Sequence, residues 1–280
     1  MLIVNADDLG LAAGVDRGVL EAHAAGAVSS ASMLVNLDDF AHAARLAHGA
    51  PRLGIGLHFN VVLGRPLTAA RSLVDPRSGA FRPLGALARR AFAGRVDPED
   101  VRAECAMQLA RLRDAGLVVT HIDSHRHAHC LPGVWSGVVR AAREARVGIV
   151  RVPLESLGMN ATDVAATGKK IALAATFHLV APGAARARRV GFAGISLQGG
   201  THFAQRLERF LASPPAGITE LMVHPGYDDP ELAALDEYRR ARETELAALV
   251  SPPVRELLRR IGPVRFDAPG IAAHAEQLQL

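Results

Sequence analysis

Four histidines fall within nine residues in the segment HIDSHRHAH, which runs from His121 to His129 and also contains Asp123. Imidazole changes charge near neutral pH and is the commonest protein ligand for metals, so this cluster suits proton transfer or metal binding. A solvated histidine-rich loop without a function is the alternative. The preceding apolar residues LVV predict a buried strand that leads into the segment, which favours a functional role.

The face that each histidine occupies depends on the conformation of this segment. An extended chain places His121, Asp123 and His125 on one face. A helix would instead bring His121, His125 and His129 together. The preceding residues GLVVT and the nearby Pro132 favour a strand that runs into a loop and then a helix. We therefore expect the extended arrangement.

Polar side chains also end or interrupt two earlier apolar runs. The run LIVNADD delivers Asp7 and Asp8 side by side just before Gly10. A helix cap would explain one aspartate but not two. Adjacent side chains on a strand point to opposite faces, so both carboxylates can serve one pocket only where the backbone turns. The run GIGLHFN contains His58, which alone is more typical of a hydrogen-bonded core histidine.

Three later runs end in polar residues as well, at Arg151, Gln198 and His224. In parallel α/β folds the active site lies at the carboxyl ends of the strands, so we expect these side chains to converge. One carboxylate and two imidazoles suit a divalent metal, and a second carboxylate and a further histidine suit general base and general acid. These are the ingredients of metal-assisted hydrolysis. The spacing alone does not choose between amide, ester and phosphoester substrates.

Short apolar runs alternate with helix-like segments along the whole chain. The runs predict seven strands: Leu2–Ala6, Val28–Val35, Gly54–Asn60, Leu117–Ser124, Val147–Pro153, Gly194–Gln198 and Thr219–His224. Repeated strand–helix units predict a parallel sheet, either closed as a barrel or open and doubly wound, and seven strands favour the barrel. No domain boundary is visible, so we expect a single domain over residues 1–280.

Other segments have distinct expected roles. In DPEDVRAECAMQLARLRDAG, Asp97 is the expected N-cap of a helix and Gly116 its stop. The segment Gly64–Val96, rich in Pro, Gly and Arg, is an expected insertion over one end of the sheet, and residues 158–191 a second excursion. The apolar stretch Ile171–Ala181 is too short to span a bilayer and predicts a buried or interfacial helix.

Composition narrows the class of protein. The formal charge is +4 and the pI about 9.7, but the arginines are scattered through helix-like segments such as YRRARETEL, which suggests solvated helix faces rather than a nucleic-acid site. Two cysteines exclude a disulfide framework and a thiolate zinc site. The N-terminus resembles no targeting peptide, so we expect a cytoplasmic protein without stable membrane insertion.

Four motifs in this order, NADDLG, GLHFN, THIDSHRHAH and ELMVHPGY, resemble the YdjC-like carbohydrate deacetylase family, which contains the chitooligosaccharide deacetylases. Each motif is short, but their conjunction is specific and extends to about Tyr227. The resemblance implies an α/β fold, a distorted TIM-barrel-like (β/α) barrel of the polysaccharide deacetylase type. It also implies a homodimer and the removal of acetyl groups from N-acetylated sugars.

The resemblance assigns roles position by position. Asp8, His58 and His125 would bind the metal, and Asp7 would be the general base. His224 would protonate the leaving amine. The implied cofactor is one divalent ion, Mg or Zn, since oxygen and imidazole ligands serve several metals.

Three further residues are expected to contact the substrate. His127 and His129 would be pocket residues, while Arg151 is open between a substrate contact and a structural ion pair. The family pattern SHHHVH is SHRHAH in this chain, so Arg126 replaces a histidine. Strand alternation predicts that Arg126 points away from the pocket.

The predicted function is therefore a metal-dependent hydrolase that releases acetate from sugars containing N-acetylglucosamine. In a second hypothesis the sugar is the head group of a glycolipid, as in related deacetylases associated with hopanoid synthesis. A metal-dependent phosphoesterase is a third, although the sequence lacks a Gly-rich phosphate cradle or a clustered Lys/Arg site. A sugar-binding or metal-binding protein without catalysis is a fourth, and two adjacent aspartates argue against it because a metal needs only one.

Overall fold

A computed structural model describes residues 1–158, 164–199 and 202–271 of the chain. Within these ranges the structure has six strands: β1 (Leu2–Leu9), β2 (Ser30–Met33), β3 (Gly54–Phe59), β4 (Val119–Ser124), β5 (Val190–Ala193) and β6 (Ile218–Val223). The same ranges contain eleven α-helices: α1 (Ala13–Ala24), α2 (Phe40–Gly49), α3 (Leu84–Phe92), α4 (Pro98–Asp114), α5 (Val134–Glu144), α6 (Val164–Val180), α7 (Pro182–Ala187), α8 (Phe203–Ala212), α9 (Pro230–Leu235), α10 (Arg240–Leu249) and α11 (Pro252–Ile261).

The six strands form one parallel sheet in the order β4-β3-β2-β1-β6-β5. The sheet curls into a half-barrel with helices around it, which confirms the predicted α/β fold of the distorted-barrel type. All eight residues of β1 and all six of β3 and β6 are buried. Parallel strands covered on both faces lack an alternating pattern, as these sequences do. The carboxyl ends of the strands share one edge of the sheet.

Two of the seven predicted strands differ in the structure. Residues 147–153 run beside β4 but form a single parallel bridge there, between Ile122 and Val150. The prediction of a strand at Gly194–Gln198 was wrong, because the strand of this region is β5 and ends at Ala193. Gly194 has a φ of +137°, and a Cβ there would lie 2.6 Å from the backbone oxygen of Met222. The chain therefore turns at this glycine instead of continuing along β6.

The insertion at 64–96 is attached to α4 through acidic side chains. Buried Glu104 accepts hydrogen bonds from the backbone nitrogens of Leu67 and Thr68 at 2.9–3.1 Å, and Asp100 accepts one from the nitrogen of Ser72 at 2.6 Å. The C-terminal part of the insertion forms α3. These bonds hold the insertion against the sheet.

The helix ends agree with two of the predictions. Asp97 caps α4 by accepting a hydrogen bond from the nitrogen of Glu99, with Pro98 in the first turn, and Gly116 follows the helix with a φ of +76°. The stretch Ile171–Ala181 lies mostly within α6. Among the described residues, no helix combines the length and the apolar character that crossing a bilayer requires. The single-domain organisation over 1–280 stays a prediction, and residues 272–280 lie outside the described ranges.

Candidate active site

A turn near the end of β1 brings two adjacent carboxylates to one cavity. The pairing of β1 with β2 shifts register between Ala6 and Leu9, and Asp8 has a φ of 71°. Because of this left-handed conformation, the side chain of Asp8 does not point to the opposite face from Asp7, as it would in a regular strand. Asp7 and Asp8 therefore both line the cavity. The expectation that the backbone must turn here is confirmed. The chain turns after β1 at Gly10, a position that requires glycine. Its φ is +84°, and a Cβ there would lie 2.8 Å from the backbone oxygen of Leu34.

Asp8, His58 and His125 converge from three strand ends. Asp8 Oδ1 lies 3.1 Å from His58 Nε2 and 2.8 Å from His125 Nδ1. One potential ligand atom from each of the three residues lies within 4.8 Å of the other two, and all three side chains are buried. The three residues that the sequence assigns to the metal are therefore brought together. Their roles as ligands stay a prediction.

Asp123, to which the sequence analysis gave no role, holds the ring of His58. The two residues are register partners in the β3–β4 pair, and His58 Nδ1 donates to Asp123 Oδ1 at 2.6 Å. This contact leaves Nε2 facing the cavity, and a carboxylate behind an imidazole is the usual support of a metal-binding histidine. Burial by itself lowers the pKa of His58, but the carboxylates of Asp123, Asp8 and Asp7, with Asp123 the largest of the three, together outweigh it and raise the pKa to about 10. The local field therefore favours a positive charge at this point.

Asp7 is held by a buried arginine. Arg151 donates from both terminal nitrogens to the two oxygens of Asp7, each at 2.7 Å, and also to Glu220. Burial would raise the pKa of Asp7, but the charge and hydrogen bonds of Arg151 outweigh it and hold the pKa well below its ordinary value. Asp7 is therefore ionised at neutral pH.

Arg151 lies beneath the cavity rather than in its wall. The side chain is 3% exposed, and Asp123 Oδ2 lies 2.7 Å from it. Of the two possibilities left open by the sequence, this geometry favours the structural ion pair. Burial raises the pKa of Glu220 to about 7, because it outweighs the charge and hydrogen bonds of Arg151, which lower this pKa.

His224 directly follows β6, one position beyond the Ala6–Val223 register pair of β1 and β6, and it lines the same cavity as Asp7. Its backbone nitrogen donates to Glu245 Oε2 at 2.6 Å, and its ring lies edge-on to Tyr238 with 5.4 Å between the centroids. Its Nδ1 is 3.9 Å from Glu245 Oε1 and makes no hydrogen bond to the described part of the chain. Burial lowers the pKa of His224, against the opposing charge of Glu245.

The histidine segment is extended up to Ser124, the last residue of β4, and turns from His125 onward. His125–Cys130 forms a 3-10 helix in which Arg126 and His127 both have φ of 54°. His127 lines the cavity, while fully buried His129 bonds to Ser124 and to the oxygen of Arg151 at 3.0 Å. The expectation that Arg126 points away was wrong, because alternation ends with β4. Arg126 lines the cavity mouth and pairs with Asp236 at 3.2 Å.

His121 is separated from the other histidines of its segment. It is 1% exposed and stacks on Phe266 with 3.9 Å between the centroids. Its ring occupies the space beside Gly56, where a Cβ would lie 2.2 Å from it. His121 is therefore a packing residue that does not line the cavity.

Helix α10 contributes two buried residues that the sequence analysis did not single out. Arg242 is fully buried and donates to Asp8 Oδ2 and to Asp236 Oδ2, each at 2.7 Å. Glu245 is the residue that accepts from His224. The segment YRRARETEL was interpreted as a solvated helix face, but it supplies the cation of Arg242 and the anion of Glu245 to the site. No local sequence motif predicted these two residues.

These side chains enclose a cavity of about 300 Å³, which is the lower end of the usual range for ligand pockets. Its wall combines Asp7, Asp8, His58, His125, His127 and His224 with residues of the surrounding elements: Leu84, Ser124, Arg126, Lys169, Gln198, Met222, Asp236, Tyr238 and Arg242. The insertion reaches the cavity through Leu84. Polar residues from several strand ends therefore meet at one edge of the sheet, as the sequence predicts.

A parallel half-barrel with buried carboxylates and imidazoles at the carboxyl ends of its strands defines a barrel enzyme of the hydrolytic type. The sequence profile of the YdjC-like protein family matches residues 1–260. The chain belongs to this family, and the prediction that it is an enzyme of this class is confirmed.

Named relatives agree with this assignment. A carbohydrate deacetylase of Vibrio cholerae serotype O1 is 33% identical over 259 residues, which cover 92% of this chain and 90% of that protein. A chitooligosaccharide deacetylase of Yersinia pestis is 35% identical over 267 residues, covering 94% and 95%. A crystal structure from Enterococcus faecalis, described as a putative cellobiose-phosphate cleavage protein, is similar with a TM-score of 0.69 and 25% identity, covering 94% and 95%.

Proposed function

We propose that this protein is a metal-dependent hydrolase that removes acetyl groups from N-acetylated sugars, giving acetate and an amino sugar. The observation that carries the proposal is the convergence of Asp8, His58 and His125 beside an ionised Asp7. The named relatives support the carbohydrate and the acetyl group as the substrate class.

The donor set fits a divalent ion. One carboxylate and two imidazoles face one another in a buried site, and Asp123 orients His58 from behind. Mg and Zn both remain compatible with these donors. A divalent ion held there supplies Lewis-acid activation of a carbonyl oxygen and of water.

Asp7 is the proposed general base. It is adjacent to the three donor residues, it lines the cavity, and it is unprotonated at neutral pH. The Arg151 fork fixes the plane of its carboxylate, so the base is oriented before a substrate arrives. Arg151 also makes Asp7 a weaker base than a free aspartate, since the same charge stabilises the unprotonated form.

His224 is the proposed acid that protonates the departing nitrogen. His224 lines the same cavity as Asp7, and its backbone is fixed by Glu245. Burial lowers its pKa, so its protonated form gives up a proton more readily than an exposed imidazolium. His127 is the proposed substrate contact in the remaining wall, because its Nδ1 makes no hydrogen bond within the described ranges.

The charges around the cavity favour an amide over a phosphoester. Two of the three Lys and Arg side chains that line the cavity are already paired with carboxylates, Arg126 with Asp236 and Arg242 with Asp8, and Lys169 donates to the neutral oxygen of Gln198 at 2.9 Å. A phosphoester site needs cations that are free to hold the phosphoryl oxygens. We therefore retain phosphoester cleavage only as the outcome that an assay must exclude.

The test is acetate release from N-acetylated mono-, di- and oligosaccharides, with Mg, Zn or other divalent ions added and again with chelator. We expect release that depends on metal and differs between sugars. Inorganic phosphate release from sugar phosphates is measured on the same preparation. Phosphate release without acetate release from any sugar would overturn the proposal.

Two expectations from the sequence accompany this proposal. A homodimer is tested by sedimentation velocity, and a cytoplasmic location by fractionation of cells that produce the protein. The metal is identified by elemental analysis of protein purified without added ions.

A further inference from the structure

Helix α6 exposes an uncharged face. Val164, Ile171 and Leu179 are 83%, 52% and 70% exposed. Their spacing of seven and eight residues places them on one side of the helix. We define the α6 surface by these three residues together with the small residues on the same side: Gly168, Ala172 and Ala175. The α6 surface therefore contains no Asp, Glu, Lys or Arg.

The opposite side of α6 is apolar as well. Phe177 is fully buried and packs edge-on against Trp135 with 4.9 Å between the ring centroids. Buried Lys170 extends its amine to the backbone oxygen of Ser156 at 3.2 Å. A helix that is hydrophobic around most of its circumference is typical of an element covered on both sides. Within the described ranges, the protein covers α6 on the Phe177 side and leaves the α6 surface exposed.

Positive charge accompanies the α6 surface. Residues 164–189 contain five Lys and Arg and no Asp or Glu. Three of them are exposed: Arg186 lies in α7, which packs against α6, and Arg188 and Arg189 follow α7. Arg188 donates to the backbone oxygen of Leu154 at 3.0 Å, which leaves its charge uncompensated. An apolar face flanked by arginines suits a surface that is both apolar and anionic.

We propose that the α6 surface and the three following arginines dock on an anionic lipid bilayer. The apolar side chains would enter the boundary between head groups and acyl chains, and the arginines would contact the anionic head groups. A second copy of the chain fits less well. An isologous contact through the α6 surface would place two identical basic segments side by side, and neither brings an acidic residue.

The docked orientation has a consequence for the cavity. Lys169 lies on the flank of α6 between the α6 surface and the buried side, and it lines the cavity. Docking through α6 therefore brings the cavity mouth to the level of the lipid head groups. The docking itself does not depend on the proposed deacetylase reaction.

The experiment is co-sedimentation of the full-length protein with vesicles of phosphatidylcholine alone or mixed with phosphatidylglycerol. We expect binding to the anionic vesicles that decreases in high salt. We expect vesicle affinity to decrease at least about tenfold in each of two double variants. Arg186→Glu/Arg189→Glu loses two basic residues, each of which contributes about fivefold to affinity near an anionic surface. Ile171→Glu/Leu179→Glu replaces two apolar side chains that would enter the head-group boundary with charged ones.

The matched control is Met107→Glu/Arg89→Glu, which changes one exposed apolar residue and one exposed arginine on other helices. It should bind vesicles as the wild type does. Circular dichroism and thermal melting establish that all variants are folded. Equal binding by the control and the α6 variants would overturn the proposal. A second set of results would also overturn it: the wild-type protein does not bind vesicles and sediments as a dimer, and Ile171→Glu/Leu179→Glu sediments as a monomer.

Discussion

Arg242 Nη2 lies 2.7 Å from Asp8 Oδ2, although the two residues are 234 positions apart. The other oxygen of Asp8 faces His58 and His125. Arg242 therefore fixes which carboxylate oxygen is presented to the imidazoles. It is a positioning residue for the proposed metal site.

Replacing Arg242 should weaken metal binding. Arg242→Lys keeps a buried cation on a shorter side chain, which cannot place a nitrogen where Arg242 Nη2 donates to both Asp8 and Asp236. We expect affinity for Zn²⁺ or Mg²⁺ to decrease roughly 10-fold to 100-fold. Isothermal titration calorimetry of the folded apoprotein measures this metal affinity. Arg239→Lys on the same segment, whose partner is Asp228, is the control and should bind metal normally. Unchanged affinity in Arg242→Lys would show that Asp8 needs no such support.

Asp123 is a second positioning residue with a distinct expected signature. Asp123→Asn retains the shape of the side chain but weakens the hold on His58 Nδ1 and removes the charge that raises the pKa of this imidazole. In metal-free protein, the NMR titration of His58 should shift to lower pH. Metal affinity should decrease about 10-fold to 100-fold. An unmoved His58 titration would contradict the assigned contact.

Much of this site is predictable from the sequence because its residues follow apolar runs. A run such as LIVNADD identifies a buried strand, and parallel strands bring their carboxyl ends to one edge. Asp7, Asp8, His58, His125 and His224 could thus be placed in one pocket before any coordinates were known. The resemblance to the YdjC-like family then gave each of them a role.

The supporting residues could not be predicted in the same way. Asp123 supports His58 because of a register between two strands, and Arg242 reaches Asp8 because α10 packs against α1, the helix that follows β1. Register and helix placement are tertiary properties that no local spacing encodes. The predicted orientation of Arg126 was wrong for a related reason. Arg126 and His127 are both left-handed, so the alternation of side chains in β4 does not continue past His125.

Removing the proposed base should separate catalysis from binding. Asp7→Asn keeps the shape of the side chain, while Arg151 retains Glu220 and Asp123 as buried anionic partners. We expect turnover of the best N-acetylated sugar to decrease by roughly two to four orders of magnitude with metal affinity nearly unchanged. Initial rates of acetate release and metal titration provide the two readouts. A variant that binds metal and turns over like the wild type would exclude Asp7 as the base.

A buried carboxyl below the β1–α1 turn makes stability depend on pH. Asp16 Oδ1 accepts from the nitrogen of Gly10 at 2.6 Å, and Oδ2 has no hydrogen-bond partner within the described ranges. Burial raises the pKa of Asp16 above its ordinary value of 3.8, and the neighbouring Asp39 adds to the shift. The folded state therefore holds this proton more tightly than the unfolded chain does. Its contribution to stability is fully present below about pH 4 and decreases as the pH rises.

Asp16→Asn should remove this pH dependence. The amide keeps an acceptor for Gly10 and offers Asp39 a donor, without a charge to bury. Near pH 4 the variant should match the wild type, and at pH 8 it should be more stable by a few kcal/mol, because the unfolded wild-type chain releases this proton above about pH 4 whereas the folded state keeps it. Urea unfolding at several pH values measures the difference, with the exposed Asp114→Asn as control. A difference that stays constant from pH 4 to pH 8 would mean that Asp16 is ionised in the native protein, with its charge compensated by neighbours other than Asp39.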